Sequence, residues 1–347
     1  MEDNWLYEIV DDNLEDINDD DYVYVDEMVE DYDGAAISLC TLSAINWGNI
    51  KTPADFEKAC TLAVRGLDEL LDYQKYPVLA AELSTMKRRP LGIGIINFAY
   101  WLAKQGLKYQ DIDSDGLALV DEWAEAWSYY LIKASADLAV EKGAISGVME
   151  TKYGHGITPN QTYAKTLDEL VPHTERMDWS ALREQLKQTG IRNSTLMALM
   201  PSETSAQVAN ATNGIEPPRN LISVKQSKHG VLKQVAPEYK RLKNKYDLLW
   251  DQRSPEGYIK IVSVLQKYID QGISVNTSYN PMFFEDEKIP MSTLLQHALM
   301  FYKYGGKQLY YFNTNDGQGE VDVNKMFDQQ EQPTQTQDDE ACESCTI

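Results

Sequence analysis

The pattern that most limits the fold of this 347-residue chain is a repeated alternation of short apolar runs with longer amphipathic segments. Apolar runs bounded by polar turns are typical of buried strands, and apolar residues at i, i+3, i+4 and i+7 are typical of helices. Strand, loop and helix in repetition favour an α/β fold with a mostly parallel sheet. The pattern predicts strands at 35–45, 194–200, 273–279 and 307–312, and helices at 52–71, 91–105, 117–142, 178–189, 256–271 and 291–304.

Charge divides the chain into a nearly neutral body and two acidic ends. Residues 1–33 hold 15 acidic and no basic residues, and residues 328–347 hold six acidic and no basic ones. The body, 34–327, holds 33 acids against 32 bases, although the whole chain has a formal net charge of −22. Acidic segments repel themselves and resist compaction, so we expect two flexible tails around one body. Binding to nucleic acid or to an anionic membrane is not expected, because both need a basic face.

Hydropathy and cysteine usage predict a soluble cytoplasmic protein. Hydrophobic residues make up 43% of the chain, which is enough for a core, yet no stretch is long and apolar enough for a transmembrane helix. The N-terminus has neither the basic region nor the apolar run of a signal peptide. Four cysteines in 347 residues argue against a disulfide scaffold and suit a reducing compartment.

One segment matches the spacing of an EF-hand calcium loop. Asp111, Asp113 and Asp115 alternate before Gly116, and Glu122 occupies the twelfth position. The alternative is a surface loop whose aspartates cap the following helix. The histidines show no metal-ligand spacing, so no other metal site is expected.

The segment 199–207 combines the end of a strand-like run with hydroxyl side chains at the expected start of a short helix. Ser202, Thr204 and Ser205 follow Pro201 there. Free backbone N–H groups and the positive end of the helix dipole make such a place suitable for an anion. An ordinary N-cap followed by an acidic first turn is the alternative. The polar sequence that follows, NATNGIEPP, could form the wall of a pocket.

Cys342 and Cys345 form a CxxC pair near the C-terminus. Such a pair is either half of a metal site or a redox dithiol, and the sequence contains no second pair to complete a metal site. A dithiol on a flexible segment can carry electrons between an internal disulfide and an external reductant. Cys40, in the first apolar run, is the candidate internal thiol, whereas Cys60 is expected to be a core residue. The adjacent Tyr310 and Tyr311 are either ordinary strand residues or a pair of phenols that passes an electron and a proton.

Several long motifs together resemble the large (alpha) subunit of aerobic class Ia ribonucleoside-diphosphate reductase. They are LCTLSAINWG, RRPLGIGIINFAYWLAKQG, IRNSTLMALMPSETSAQVANATNGIEPP, ISVNTSYNP and QLYYFNTNDG, and they extend over most of the chain from Gly34. The resemblance implies a ten-stranded α/β barrel built from two parallel five-stranded halves. It also implies an enzyme that reduces ribonucleoside diphosphates to deoxyribonucleoside diphosphates by thiyl-radical chemistry, as a step in the synthesis of DNA precursors.

The resemblance assigns roles to the residues that match the family's motifs. Cys40 corresponds to one of the two cysteines that are oxidised to a disulfide as the 2′-hydroxyl leaves. The loop that binds the substrate diphosphate corresponds to Pro201, Ser202, Glu203, Thr204 and Ser205.

The remaining matched residues imply partners. Tyr310 and Tyr311 correspond to a stacked pair that receives the radical from a small (beta) subunit, whose di-iron tyrosyl radical is the cofactor on which the reaction relies. No cofactor is expected to bind this chain directly. Cys342 and Cys345 correspond to the tail pair that re-reduces the active-site disulfide and is itself reduced by thioredoxin or glutaredoxin.

The chain also departs from the family's pattern. It contains neither the finger-loop cysteine that becomes the thiyl radical nor a second partner for Cys40, and it lacks the N-terminal nucleotide-binding and specificity regions. The sequence therefore predicts the C-terminal half of the subunit, with about five parallel strands. A split gene is favoured over a degenerate remnant because several separate parts of one mechanism survive together. In that interpretation 1–33 is a docking segment for the N-terminal half, 34–327 is the half-barrel body and 328–347 is a redox tail. A non-catalytic calcium-binding or scaffolding fragment is the alternative.

Overall fold

The structure, a computed structural model, describes residues 37, 39, 41–227 and 230–315, apart from the side chains of 223–233. The strands of this part are β1 Thr41–Asn46, β2 Leu91–Ile96, β3 Ile222–Ser227, β4 Gly230–Val235, β5 Ser274–Tyr279 and β6 Gln308–Thr314. Its α-helices are α1 Phe56–Tyr73, α2 Leu79–Arg88, α3 Phe98–Gln105, α4 Ser114–Lys142, α5 Trp179–Thr189, α6 Glu203–Val208, α7 Tyr239–Leu242, α8 Glu256–Gln266 and α9 Met291–Lys303. None of these helices has the length and apolar character needed to cross a membrane.

Parallel pairing dominates the sheet contacts. β1 pairs with β2, and β5 pairs with β6, both in parallel, whereas β3 and β4 form an antiparallel hairpin. On the other side of β2, Ile93 forms an isolated parallel bridge with Met197. The predicted strand at 194–200 is thus reduced to one bridge. The fold is mixed α/β with few parallel strands, and this part of the prediction is confirmed.

The predicted helix at 91–105 is wrong in its first half. Leu91–Ile96 is a strand with all six residues buried, and the helix begins only at Phe98. A strand covered on both faces is apolar throughout, so its periodicity cannot be distinguished from that of a buried helix. Gly94 allows a close neighbour, since a Cβ atom there would lie 2.7 Å from the backbone oxygen of Ala198.

The core is centred on α4, the longest helix of the described chain, and is rich in aromatic side chains. The rings of Trp47, Phe56, Trp101 and Trp123 pack with centroid distances of 5.0–6.0 Å, and all four side chains are buried. They join the segment after β1 to α1, α3 and α4. This packing holds β1 and β2 against the helical layer.

The segment with EF-hand spacing is largely helical. α4 begins at Ser114, and the Asp113 carboxylate caps it by accepting a 2.8 Å hydrogen bond from the Gly116 amide. Most of the twelve positions that would wrap a cation in an EF-hand are therefore in a regular helix. Asp121 is buried and is paired with Lys267 at 2.8 Å and Arg176 at 2.9 Å. The capping alternative is correct, and no cluster of three potential metal ligands occurs among the described residues.

Candidate functional site

The carboxyl ends of β1 and β2 are joined by a pair of asparagines to the loop that follows α6. Asn97, directly after β2, donates through Nδ2 to Asn46 Oδ1 at 3.0 Å. Its own Oδ1 accepts from the Thr212 amide at 3.0 Å, and its amide donates to the Thr212 carbonyl at 2.8 Å. Polar groups at the carboxyl ends of parallel strands are the usual setting of an α/β binding site. The loop 209–218, in which Thr212 lies, therefore forms part of one wall of a candidate site.

The predicted anion-binding loop 201–205 lies beside this wall. The Ser202 amide donates to Asn213 Oδ1 at 2.9 Å, and the Ser202 hydroxyl lies 3.4 Å from the Met200 carbonyl. Ser202 is the N-cap residue of α6 and Glu203 lies in its first turn, as the N-cap alternative expects, but the buried Ser202 side chain makes no capping hydrogen bond. The remaining residues of the loop are exposed: Pro201, Glu203, Thr204 and Ser205. The structure thus fixes the base of the loop and leaves the hydroxyls of its outer part accessible.

Tyr310 and Tyr311 lie on β6 at a break in the ladder with β5. Val275 pairs with Leu309 and Thr277 pairs with Phe312, so the two tyrosines together oppose the single residue Asn276. This two-against-one arrangement is a β-bulge, which is rare between parallel strands. Successive side chains of a regular strand point to opposite faces, so adjacent tyrosines on such a strand would be separated. The bulge explains how both can lie on one side.

The two phenols are in contact. Their ring centroids are 4.2 Å apart with planes at 55°, and the Tyr311 hydroxyl donates to the Tyr310 hydroxyl at 3.3 Å. This hydrogen bond raises the pKa of Tyr311. The rings are tilted rather than stacked, and both side chains are more than half exposed. Contacting phenols of this kind can exchange an electron and a proton over a short distance.

Asn276 joins the bulge to the loop that follows α6. Its Oδ1 accepts from the Tyr311 amide at 3.2 Å, and its Nδ2 donates to Glu216 Oε1 at 2.8 Å. Glu216 lies three residues after Asn213, which holds Ser202. The loop 201–205 and the tyrosines are thus connected through side chains, although no direct contact between them is recorded in the described part of the chain.

Sequence reasoning missed the asparagines of this site: Asn46, Asn97, Asn213 and Asn276. The NATNGIEPP segment was expected to wall a pocket, but the partners of its residues lie far away in sequence. A useful signal would have been an asparagine at the end of each of two apolar runs, as at Asn46 and Asn97.

A buried histidine supports the sheet from behind. His297 on α9 lies 3.1 Å from the Tyr279 hydroxyl through Nδ1, and its ring stacks on Tyr279 at 5.7 Å. Tyr279 in turn stacks on Phe312 of β6 at 6.5 Å. Burial lowers the pKa of His297, which favours the neutral imidazole. This row of rings fastens α9 to β5 and β6 next to the tyrosine pair.

Two cavities of about 320 and 310 Å³ open at the other end of the strands. The larger is lined by residues that precede the strands, among them Arg88, Asp270 and Lys307. Neither cavity includes the loop 201–205 or the tyrosines. These two cavities are therefore separate from the candidate site.

The structure does not describe the three cysteines that are predicted to be redox-active. Cys40, Cys342 and Cys345 lie outside the described residues. Cys60 is buried in α1, where its thiol is 3.8 Å from the Trp127 carbonyl and burial raises its pKa. The interpretation of Cys60 as a core residue is confirmed.

Comparison with known families shows to which family the chain belongs. A family model described as the ribonucleotide reductase barrel domain matches residues 25–312. The chain belongs to this ribonucleotide reductase family. The match includes the loop 201–205, Asn276 and the tyrosine pair, and it ends before the CxxC segment.

Curated members of the ribonucleotide reductase family share about half of the residues. The alpha subunit of ribonucleoside-diphosphate reductase from Buchnera aphidicola is 54% identical over 291 residues, and that from Haemophilus influenzae is 53% identical over 285. The corresponding alpha subunit of Enterobacteria phage T4 is 44% identical over 293 residues. These alignments cover 82–83% of this chain but only 37–38% of the relatives. The chain thus spans well under half the length of the reductase subunits that it resembles.

Proposed function

We propose that this chain corresponds to the C-terminal part of the alpha subunit of a class Ia ribonucleoside-diphosphate reductase. The observation that carries the proposal concerns the segment 213–216, within a chain that belongs to the reductase family. This segment is hydrogen-bonded at Asn213 to the loop 201–205 and at Glu216 to Asn276, which in turn accepts from the Tyr311 amide. The parallel pairs β1–β2 and β5–β6 are consistent with a half of a ten-stranded barrel. Activity then requires the N-terminal half.

In this proposal the loop 201–205 holds the diphosphate of the substrate. Its exposed hydroxyls and backbone amides are suitable donors for phosphate oxygens, and the anchored Ser202 fixes the loop relative to the strands. A substrate held at both its diphosphate and its ribose reacts as if within one molecule, which removes much of the entropic part of the barrier. The loop therefore positions the ribose and does not itself react.

The reduction needs two electrons, which we assign to Cys40 and a cysteine of the N-terminal half. A thiyl radical on that half removes the 3′-hydrogen and later returns it. The 2′-hydroxyl leaves as water while the two thiols are oxidised to a disulfide, so one ribonucleoside diphosphate and two thiols give one deoxyribonucleoside diphosphate, water and one disulfide. Cys342 and Cys345 reduce this disulfide by thiol–disulfide exchange and are themselves reduced by thioredoxin or glutaredoxin.

The small subunit supplies the radical through Tyr311 and Tyr310. The source of the radical, a di-iron tyrosyl radical, belongs to that subunit and not to this chain. A docking surface is suggested by α9, which lies beside β6 and carries a row of exposed apolar side chains at Met291, Leu295, Leu299 and Tyr302. Exposed apolar rows of this kind usually mark an interface.

Reconstitution tests the proposal. The full chain is co-expressed with an N-terminal half and mixed with the small subunit, thioredoxin and CDP, and formation of dCDP is measured. We expect turnover with the wild-type chain and none with Tyr311→Phe or Cys40→Ser. Tyr73→Phe is the matched control for the tyrosine variant, because Tyr73 is exposed on α1 far from the site, and it should retain wild-type turnover. No dCDP from the wild-type mixture, or full activity of Cys40→Ser, would refute the enzyme assignment.

A further inference from the structure

The contact between Tyr310 and Tyr311 depends on the β-bulge, where the regular backbone ladder between β5 and β6 is interrupted. At the bulge, the Tyr311 amide has no partner in the regular ladder, because the register moves from Val275–Leu309 directly to Thr277–Phe312. The Asn276 side chain fills this place by accepting the Tyr311 N–H at 3.2 Å. The contact is exposed, so water competes for the amide, and the hydrogen bond favours the bulged register by its net contribution of about 0.5–1.5 kcal/mol.

The regular register would separate the phenols. If one tyrosine paired with residue 276, the bulge would disappear and the two side chains would point to opposite faces of the sheet. The contact between the rings at 4.2 Å and between the hydroxyls at 3.3 Å would then be lost. The geometry of the pair is therefore tied to the side chain at position 276.

A second hydrogen bond fixes the orientation of the Asn276 side chain and connects it to Glu216. Its Nδ2 donates to Glu216 Oε1 at 2.8 Å, so the amide is oriented with its oxygen toward Tyr311. Glu216 belongs to the loop that fixes Ser202 through Asn213. One amide thus contacts both the loop that borders the anion-binding segment and the backbone of the tyrosine strand.

We propose that Asn276 is a positioning residue that holds Tyr310 and Tyr311 in contact and links their placement to the loop around the substrate. The inference rests on the proposed function for its role in turnover, although the positional part does not. The hydrogen bonds of Asn276 go to the Tyr311 amide and to Glu216, and not to the phenol oxygens. It acts through the backbone of Tyr311 and the carboxylate of Glu216.

The test uses the full chain, two substitutions at position 276, and a double variant in which Glu216 is changed as well. Asn276→Leu removes both hydrogen bonds. Asn276→Asp keeps the acceptor for Tyr311 but sets a second carboxylate against Glu216. The double variant Asn276→Asp/Glu216→Gln exchanges donor and acceptor between the two positions and restores the contact. Ser278→Ala is the matched control, because it removes a different contact between β5 and β6, the 3.4 Å hydrogen bond from Asn313.

Two measurements are made on each variant. Amide hydrogen exchange resolved at Tyr311 can be measured without partner subunits, and we expect Asn276→Leu to accelerate it by about 3- to 10-fold. In the reconstituted enzyme the same variant should lower kcat by about 10-fold or more while KM changes by less than about 2-fold, because the substrate contacts remain. Asn276→Asp should show a similar loss that lessens as the pH falls and one carboxylate is protonated. The double variant should recover most of the wild-type kcat, and Ser278→Ala should resemble the wild type.

The outcomes separate this inference from the proposed function. If the wild-type assembly turns over and Asn276→Leu equals it in kcat and in Tyr311 exchange, the inference is overturned and the proposed function stands. Equal damage from Ser278→Ala, or no rescue in the double variant, would reduce Asn276 to a general stabiliser of the sheet and would also overturn it. If the wild-type assembly forms no dCDP, the proposed function fails, and exchange at Tyr311 alone decides the positional claim.

Discussion

Asp270 shows how one buried carboxylate can organise a strand. It accepts hydrogen bonds from the Leu196 amide at 2.7 Å, from the Met197 amide at 3.0 Å and from the Tyr153 hydroxyl at 2.9 Å. Burial nevertheless dominates and raises the pKa of Asp270 to about 6. Two amides that a regular ladder would use are thus occupied by a side chain, which explains why the predicted strand at 194–200 forms a single bridge.

This shift predicts a pH dependence of stability. The folded carboxyl keeps its proton to a higher pH than the unfolded one, whose ordinary value is 3.8. Its ionisation therefore costs the folded state free energy as the pH rises from about 4 to about 6. Because the side chain is partly open to a cavity, we expect a cost of about 1–2 kcal/mol. The free energy of unfolding in urea is measured for the wild type and for Asp270→Asn across this pH range. Asp270→Asn should gain stability relative to the wild type as the pH rises. Parallel curves would contradict the assignment.

At the residue scale, the sequence predicted only those residues of the candidate site that lie within a local motif. The loop 201–205 and the tyrosine pair were recognisable because each lies within a few consecutive residues. Asn276 was not recognisable as a site residue, because its importance depends on a bulge that arises from pairing with a strand more than 30 positions away. Residues that act through long-range hydrogen bonds have no local pattern.

At the scale of elements, the long helices were predictable and the central strand was not. α5 is amphipathic, whereas α4 is long and buried on more than one face, and both are followed by a glycine, Gly190 and Gly143, which is typical of helix ends. β2 has no periodicity, because one face packs on the helices and the other is covered as well. Only the glycines of LGIGII argue against a helix there.

The close packing of β2 predicts opposite effects for two glycine substitutions. A Cβ at Gly94 would lie 2.7 Å from both the Ala198 carbonyl oxygen and the Met200 sulfur, so Gly94→Ala should destabilise the chain by about 1–3 kcal/mol. Gly66 lies exposed in α1 with no atom within 4 Å of its Cβ position. Gly66→Ala should therefore stabilise the chain by about 0.5–1 kcal/mol through helix propensity. The midpoints of urea unfolding of the two variants and the wild type measure both changes in stability. If Gly94→Ala leaves the stability unchanged, β2 has more space than its contacts imply.

At the scale of the whole molecule, the acidic ends remain predictions about assembly. Residues 1–33 lie outside the described residues, and their 15 acids would suit a basic surface on the N-terminal half. Deletion of residues 2–33 should weaken copurification of the two halves, and the loss should resemble that of the full chain at high salt, because exposed charges are screened there. Deletion of 328–347, which removes six acids, is the matched control and should leave copurification unchanged. Equal copurification of all three chains would exclude docking by the first segment.

The strand pairing described above has a consequence for how this part of the chain behaves in solution. Among the described strands, β1 pairs only with β2 and β6 pairs only with β5, so each presents one edge that no described strand pairs with. Such an edge is a template for any matching strand, including one from another copy of the same chain. Contacts between unlike edges of successive copies form rings when the rotation closes and open-ended assemblies when it does not. Where no matching strand covers these edges, we therefore expect self-association that rises with protein concentration.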